Sequence, residues 1–149
     1  MKKFEFSLER IRNYKTQILD KEKKTLGNLN RRKDEIVDRI HSLENFRDEK
    51  TEQLTRRQIE GVSMMELVSL NYLIESTRKQ IDALLIELER AEEIAEAQRK
   101  VVVSIYQEKT GMDKLEEKQL EEYRLLEAKT NEGELMQAIT NGMARKNLA

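Results

Sequence analysis

From Leu67 to Leu126 the chain repeats every seven residues without a slip, which leaves it few folds other than a long helix in need of a partner. Leu67, Ile74, Ile81, Leu88, Ala95, Val102, Lys109, Glu116 and Tyr123 are spaced by sevens, and three residues after each stands Leu70, Thr77, Leu84, Ala91, Gln98, Ile105, Met112, Gln119 or Leu126. Thirteen of these eighteen positions are apolar, about double what a chain with 38% hydrophobic residues places there by chance. Charge fills the other positions, so the helix carries one narrow apolar seam, as in a coiled coil. What covers the seam, and what it leaves uncovered, decides the function.

A first helix supplies the cover. Leu8, Ile11, Ile18, Leu26, Leu29, Ile36, Val37, Ile40, Leu43, Phe46 and Leu54 recur at threes, fours and sevens, interrupted by Lys15, Glu22 and Lys50. This seam is more polar than the other and depends on packing against a neighbour. Gly27, in mid-helix, is a weak point worth about 1 kcal/mol relative to alanine. The one credible turn is Glu60-Gly61-Val62-Ser63. Gly61 can take the left-handed conformation that ends a helix, and Ser63 with Glu66 forms an S-x-x-E capping box that opens the next.

A short turn between long helices makes them antiparallel neighbours. The predicted fold is therefore all-α, a long two-helix antiparallel coiled-coil hairpin forming a single domain over 1–149. Helix one spans about 5–60, the turn 61–63 and helix two about 64–130, with a frayed or short helical tail at 131–149. Folding about residue 61 or 62 pairs positions whose numbers add to about 123, which sets Leu43 near Ile81, Ile36 near Leu88 and Ile11 near Met112. It also lays residues 1–33, with eleven Lys/Arg against four Asp/Glu, along residues 87–122, with six against eleven. Two independent patterns select the same hairpin. Exposed charge pairs contribute only about 0 to 1 kcal/mol each, so they set orientation more than stability. Lys109 and Glu116, polar members of the second seam, are expected to reach toward water, with Lys15 and Glu9 nearby.

Composition excludes several function classes. Of 149 residues none is proline, tryptophan or cysteine and 38% are charged, a mix suited to solvated helices and not to a large core. No disulfide, thiolate metal site or thiol nucleophile is possible. The charged opening does not read as a secretory signal, and no apolar run is long enough to span a bilayer. The expected location is the cytosol. The single histidine, His41, stands beside Ile40 with no ligand-type neighbour, and the five glycines form no phosphate loop, so no catalytic residue, metal site or cofactor is expected. Arg31-Arg32-Lys33 lack interleaved aromatics, so nucleic acid is not an expected partner, and the narrow seam gives no lipid-binding face.

Binding surfaces are better marked. Tyr72 falls opposite the seam, Phe46 lies on the same half of the hairpin, and Met64 and Met65 crown the turn, where methionine can make an adaptable contact. At the other end Phe4, Phe6, Tyr123 and Leu126 form an apolar cluster with few internal partners, a feature that often marks an interface.

The opening Phe4-Glu-Phe-Ser-Leu8-Glu-Arg, the tip Gly61-Val-Ser-Met-Met-Glu66-Leu, the following Asn71-Tyr72-Leu-Ile, and Lys109 with Leu115-Glu-Glu-Lys118 and Tyr123 resemble the FliJ-type component of flagellar type III export. The region after Thr130 departs from the acidic ending of that family. The resemblance implies a non-enzymatic coiled-coil stalk, similar to the central shaft of rotary ATPases, that inserts its terminal end into a hexameric export ATPase and stimulates it. It also implies contact with the cytoplasmic part of the export-gate membrane protein, escort of export chaperones, and a cytoplasmic location peripheral to the cell membrane. Carried over by position, Phe4, Phe6, Leu8, Tyr123 and Leu126 belong to the ATPase end, and Phe46, Tyr72, Met64 and Met65 to the gate end. Two other readings of the residues stand beside it: a holdase gripping cargo along the polar-interrupted seam, and a homo-oligomeric scaffold. A self-sufficient hairpin is expected to be monomeric.

Overall fold

A computed structural model describes residues 2–148, with side chains through residue 146. It is all-α, with α1 at Glu9–Glu60 and α2 at Met64–Leu148. The chain divides into two compact units, Asp20–Val103 and a second built from the residues up to Leu19 with those from Ser104 onward.

The first unit is a closed antiparallel hairpin. Ile36, Ile40 and Ile81 are buried together, with Leu43, Leu84, Leu88 and Ala91 packed against them. Leu70, Ile74, Thr77 and Ala95 are also buried on α2, all at seam positions of the heptad. Thr77 is the polar member of that set, and its hydroxyl donates to the Leu73 carbonyl at 2.7 Å, so it is buried without an orphaned group. Toward Val103, Gln98 reaches across the seam and donates from its amide nitrogen to the Glu22 carbonyl at 3.1 Å and to the Glu22 carboxylate.

Gly61 has φ = +97°, the left-handed geometry that stops α1. Ser63 caps α2 as expected, its hydroxyl accepting the Glu66 N–H at 3.2 Å. The reciprocal half of the box is replaced by another contact. Glu66 turns to α1 and accepts two hydrogen bonds from Arg57, at 2.8 and 2.9 Å. The bidentate pair makes two charge-assisted hydrogen bonds where the cap would make one, and it ties the two helix ends together.

In the second unit a non-helical strap of residues 2–8 leads into α1 and lies against α2. The helix segments are antiparallel here too: Arg12 pairs with Asp113 and Glu116, and Lys15 with Glu108 at 2.7 Å. Glu116 therefore meets Arg12, where Lys15 and Glu9 had been expected nearby, and Glu9 itself binds Arg12 from the same helix.

The α1 seam differs from a list of its apolar residues. Ile11 is 47% exposed and Phe46 is also exposed, whereas Leu19 is 2% exposed, the most deeply covered core residue. The positions that face α2 are Arg12, Leu19, Leu26, Lys33, Ile40, Arg47 and Leu54, interleaved with Lys15, Glu22, Leu29, Ile36, Leu43, Lys50 and Arg57, and none is exposed. Half are polar. Their long aliphatic stems cover the seam while the charged ends reach its edges.

The tail expected at 131–149, frayed or a short helix of its own, is instead part of α2, which continues as one helix of 85 residues to Leu148. An isolated glycine costs a helix only about 1 kcal/mol, and without proline nothing removes a backbone donor. From Ala128 to Lys146 every residue is exposed.

The two glycines of α1 and its turn make opposite predictions. At Gly61 an alanine must hold φ = +97°, so Gly61→Ala should lower stability by about 1 kcal/mol. At Gly27 a Cβ meets nothing within 4 Å, so Gly27→Ala should raise stability by about 0.5 to 1 kcal/mol. Urea unfolding of both variants, at constant slope, checks the pair.

Candidate interaction surfaces

The residues expected to form a free apolar cluster at the termini mostly satisfy one another. Phe4 and Tyr123 lie with ring centroids 5.6 Å apart at 52°, and the Tyr123 hydroxyl donates to the Lys2 carbonyl. Phe6 is buried at 8% exposure, with the Arg12 guanidinium 5.1 Å from its ring centroid. Leu8 is half-buried, and its carbonyl accepts the Arg12 N–H at 2.8 Å as α1 begins. Arg12 thus serves both the Phe6 ring and the carboxylates of Glu9, Asp113 and Glu116. It pins the strap electrostatically where apolar area alone is small.

Leu126 differs from the other four: it is 56% exposed, and its neighbour Leu125 is exposed too. Farther along α2, Leu135, Met136, Ile139 and Met143 are exposed at helical spacing. Sequence reasoning passed over this stripe because it assigned residues 131–149 to a frayed or short helical tail. The signal was present in their spacing of three and four, which brings Leu135, Met136, Ile139 and Met143 to one side of a helix.

In the unit that holds the turn, Met64, Met65 and Tyr72 are exposed as expected. Val68 and Ile59, not singled out from the sequence, are exposed with them. Met65, Val68 and Tyr72 are separated by three and four residues and so share a face of α2. Phe46, on α1, presents its ring to the Lys50 ammonium at 5.4 Å. Gly61, Ser63 and Glu66 shape the turn beneath these side chains. The Glu66 carboxyl is held below the ordinary carboxylate range by the Arg57 hydrogen bonds, with burial opposing and the guanidinium charge reinforcing them. Arg57 is raised in turn, chiefly by its hydrogen bonds to Glu66.

His41 is exposed with Glu44 3.8 Å away on the same helix. Among the described residues no group of three His, Asp or Glu side chains could hold a metal ion, and no helix is long and apolar enough to cross a membrane. What the geometry offers is exposed apolar side chains on a helical frame, which is the chemistry of protein–protein contact.

Because the folded-state Glu66 is shifted down, its contribution is present above the unfolded carboxylate range and is lost as pH falls through the folded value. Acidification should therefore lower the amide-exchange protection factors of residues 57–67, each rate taken relative to the unstructured chain at the same pH, below the ordinary carboxylate range. Arg57→Met should show the reduced protection already at neutral pH, with little further change in the protection factors in acid.

Comparison with known proteins adds one finding. A family profile described as "Flagellar FliJ protein" matches residues 4–135. No curated protein and no solved structure matches the chain.

Proposed function

Since this chain belongs to the FliJ family, a set of non-catalytic components of flagellar export, we propose that it is a coiled-coil stalk serving a hexameric export ATPase and the export gate. The observation that carries the reading is that each unit has its own exposed apolar surface. Leu125 and Leu126 mark the unit with the chain termini, and Met64, Met65, Val68 and Tyr72 the unit with the turn. The first surface is assigned to the ATPase, the second to the cytoplasmic part of the gate protein. Export chaperones are further partners, and the protein works at the cytoplasmic face of the membrane without inserting into it.

The assignment of the terminal residues is refined by their burial. Phe4, Phe6, Leu8 and Tyr123 hold the strap in place, so they shape the ATPase-facing surface, and Leu126 with Leu125 offers the contact itself. At the gate-facing surface Tyr72, Met64 and Met65 supply contact area, and Phe46 contributes the exposed edge of its ring. Truncating such exposed anchors typically costs about 1 to 2 kcal/mol of binding, or roughly five- to thirtyfold.

A second reading, a holdase for export cargo, is favoured by the half-polar α1 seam, which lowers the cost of opening the helices. One set of variants separates the two. Leu126→Asp should reduce stimulation of the purified ATPase hexamer about tenfold with unchanged helicity, while gate binding persists. Met65→Asp with Tyr72→Ala should do the reverse. If neither pair of activities separates and the protein suppresses aggregation of an unfolded client, the stalk reading is wrong and the holdase reading replaces it.

A further inference from the structure

The unit Asp20–Val103 carries a third apolar surface, which neither of the assignments above uses. Leu29 and Arg32 of α1 and Ala83, Ile86, Glu87, Arg90, Ala91 and Ile94 of α2 line an open groove of about 600 Å³. Ile86 is 56% and Ile94 54% exposed, and Val101, seven residues beyond Ile94, is exposed as well. Ala83, Ile86, Arg90 and Ile94 follow at intervals of three and four, so they form one stripe along α2. From Ala83 to Val101 the stripe covers about 27 Å at 1.5 Å per residue, the length of a five-turn helix.

The surrounding charge specifies what kind of helix fits. Internal neutralisation of the basic N-terminal third is incomplete: among the described residues, only Arg12, Lys15 and Arg32 of the first 33 make ion pairs with α2. Arg32 holds Glu87 at 3.4 Å with a side chain still 67% exposed. Arg90, in the middle of the stripe, has no ion-pair partner among the described residues. Arg39, seven residues after Arg32 on the same face of α1, is exposed. Lys21, Lys23, Lys24 and Arg31 add exposed positive charge to α1 in this unit. Of the nearby acids, Glu89, Glu92 and Glu96 border a different hollow on α2, and Glu96 is bound by Arg99 at 2.8 Å; Glu93 borders that hollow too but stands three residues after Arg90 and seven after Ile86, at the edge of the stripe.

We infer that this groove docks an acidic amphipathic helix of a partner protein, its aliphatic side chains seated on Ile86 and Ile94 and its carboxylates on Arg32, Arg39 and Arg90. Packing a third helix there completes the burial of the stripe in the way α1 covers the seam. The arginines give the complex its selectivity, since rim charges discriminate among partners more than they add affinity. This surface is independent of the stalk reading and can fail or succeed without it.

The test uses the full-length protein and two synthetic helical peptides of about five turns. Both carry leucine at the seam positions; one has glutamate on the flanks and the other lysine. The glutamate peptide should bind at least about tenfold more tightly, with an affinity that falls as salt is raised. Its binding should shift the methyl resonances of Ile86 and Ile94 before those of buried Ile36, Ile40 and Ile81. Arg32→Glu combined with Arg90→Glu should reverse the preference between the peptides, and Ile86→Asp should abolish binding at unchanged helicity, because the side chain it replaces is exposed. Equal binding of the two peptides, binding of neither, or shifts confined to other residues overturns the proposal. So does self-association of the protein alone that protects Ile86 and Ile94, which assigns the groove to a second copy of this chain.

Discussion

Packing between two seams of unequal polarity is the interaction on which the rest of this molecule depends. In the unit from Asp20 to Val103, Ile36 and Ile40 of α1 close on Ile81 of α2. Each such side chain contributes about 2 kcal/mol when buried. Away from them the α1 seam turns to Arg12, Lys15, Glu22, Lys33, Arg47, Lys50 and Arg57, which cover apolar area with methylene stems and keep their charges at the edge. Most helical stability in proteins comes from tertiary packing of one face, so the polar seam residues contribute beside the isoleucines by extending the covered contact along both helices.

That mixture of contacts explains why few apolar side chains are left uncovered on the facing sides of the helices while several remain on the outer ones. A seam only two residues wide satisfies one stripe of each helix. The exposed side chains at Met64–Tyr72, at Ile86 and Ile94, and from Leu125 onward lie outside that stripe. Exposed apolar side chains of this kind are area that another chain can bury. The same logic accounts for the polar cross-links. Gln98 to Glu22 and Arg57 to Glu66 add direction to contacts that hydrophobic burial alone leaves unspecific.

Much of the architecture could be read from particular residues. The heptad positions of α2 identified its covered face: of the eighteen, only Leu126 is exposed. Gly61 and Ser63 located the turn through backbone chemistry that needs no knowledge of the partner helix. The exposed residues near the turn were also legible, since Tyr72 is placed opposite the seam by its spacing alone. The α1 seam was less legible. Counting apolar residues favoured Ile11 and Phe46, yet the strict seven-residue spacing passes through Arg12 and Arg47, whose type disguises their role.

By itself, then, the sequence determined that there are two long helices, which face of α2 is covered, and where the chain reverses, because periodicity and turn chemistry act over a few residues. Tertiary structure decided which members of the terminal cluster remain free. Phe4 lies against Tyr123 only because the non-helical strap returns to α2, a contact more than a hundred residues apart in sequence that no local pattern encodes. It likewise decided that Glu66 serves Arg57 in place of its own helix cap, since two competing hydrogen bonds of similar local merit are separated only when the facing helix supplies a charge.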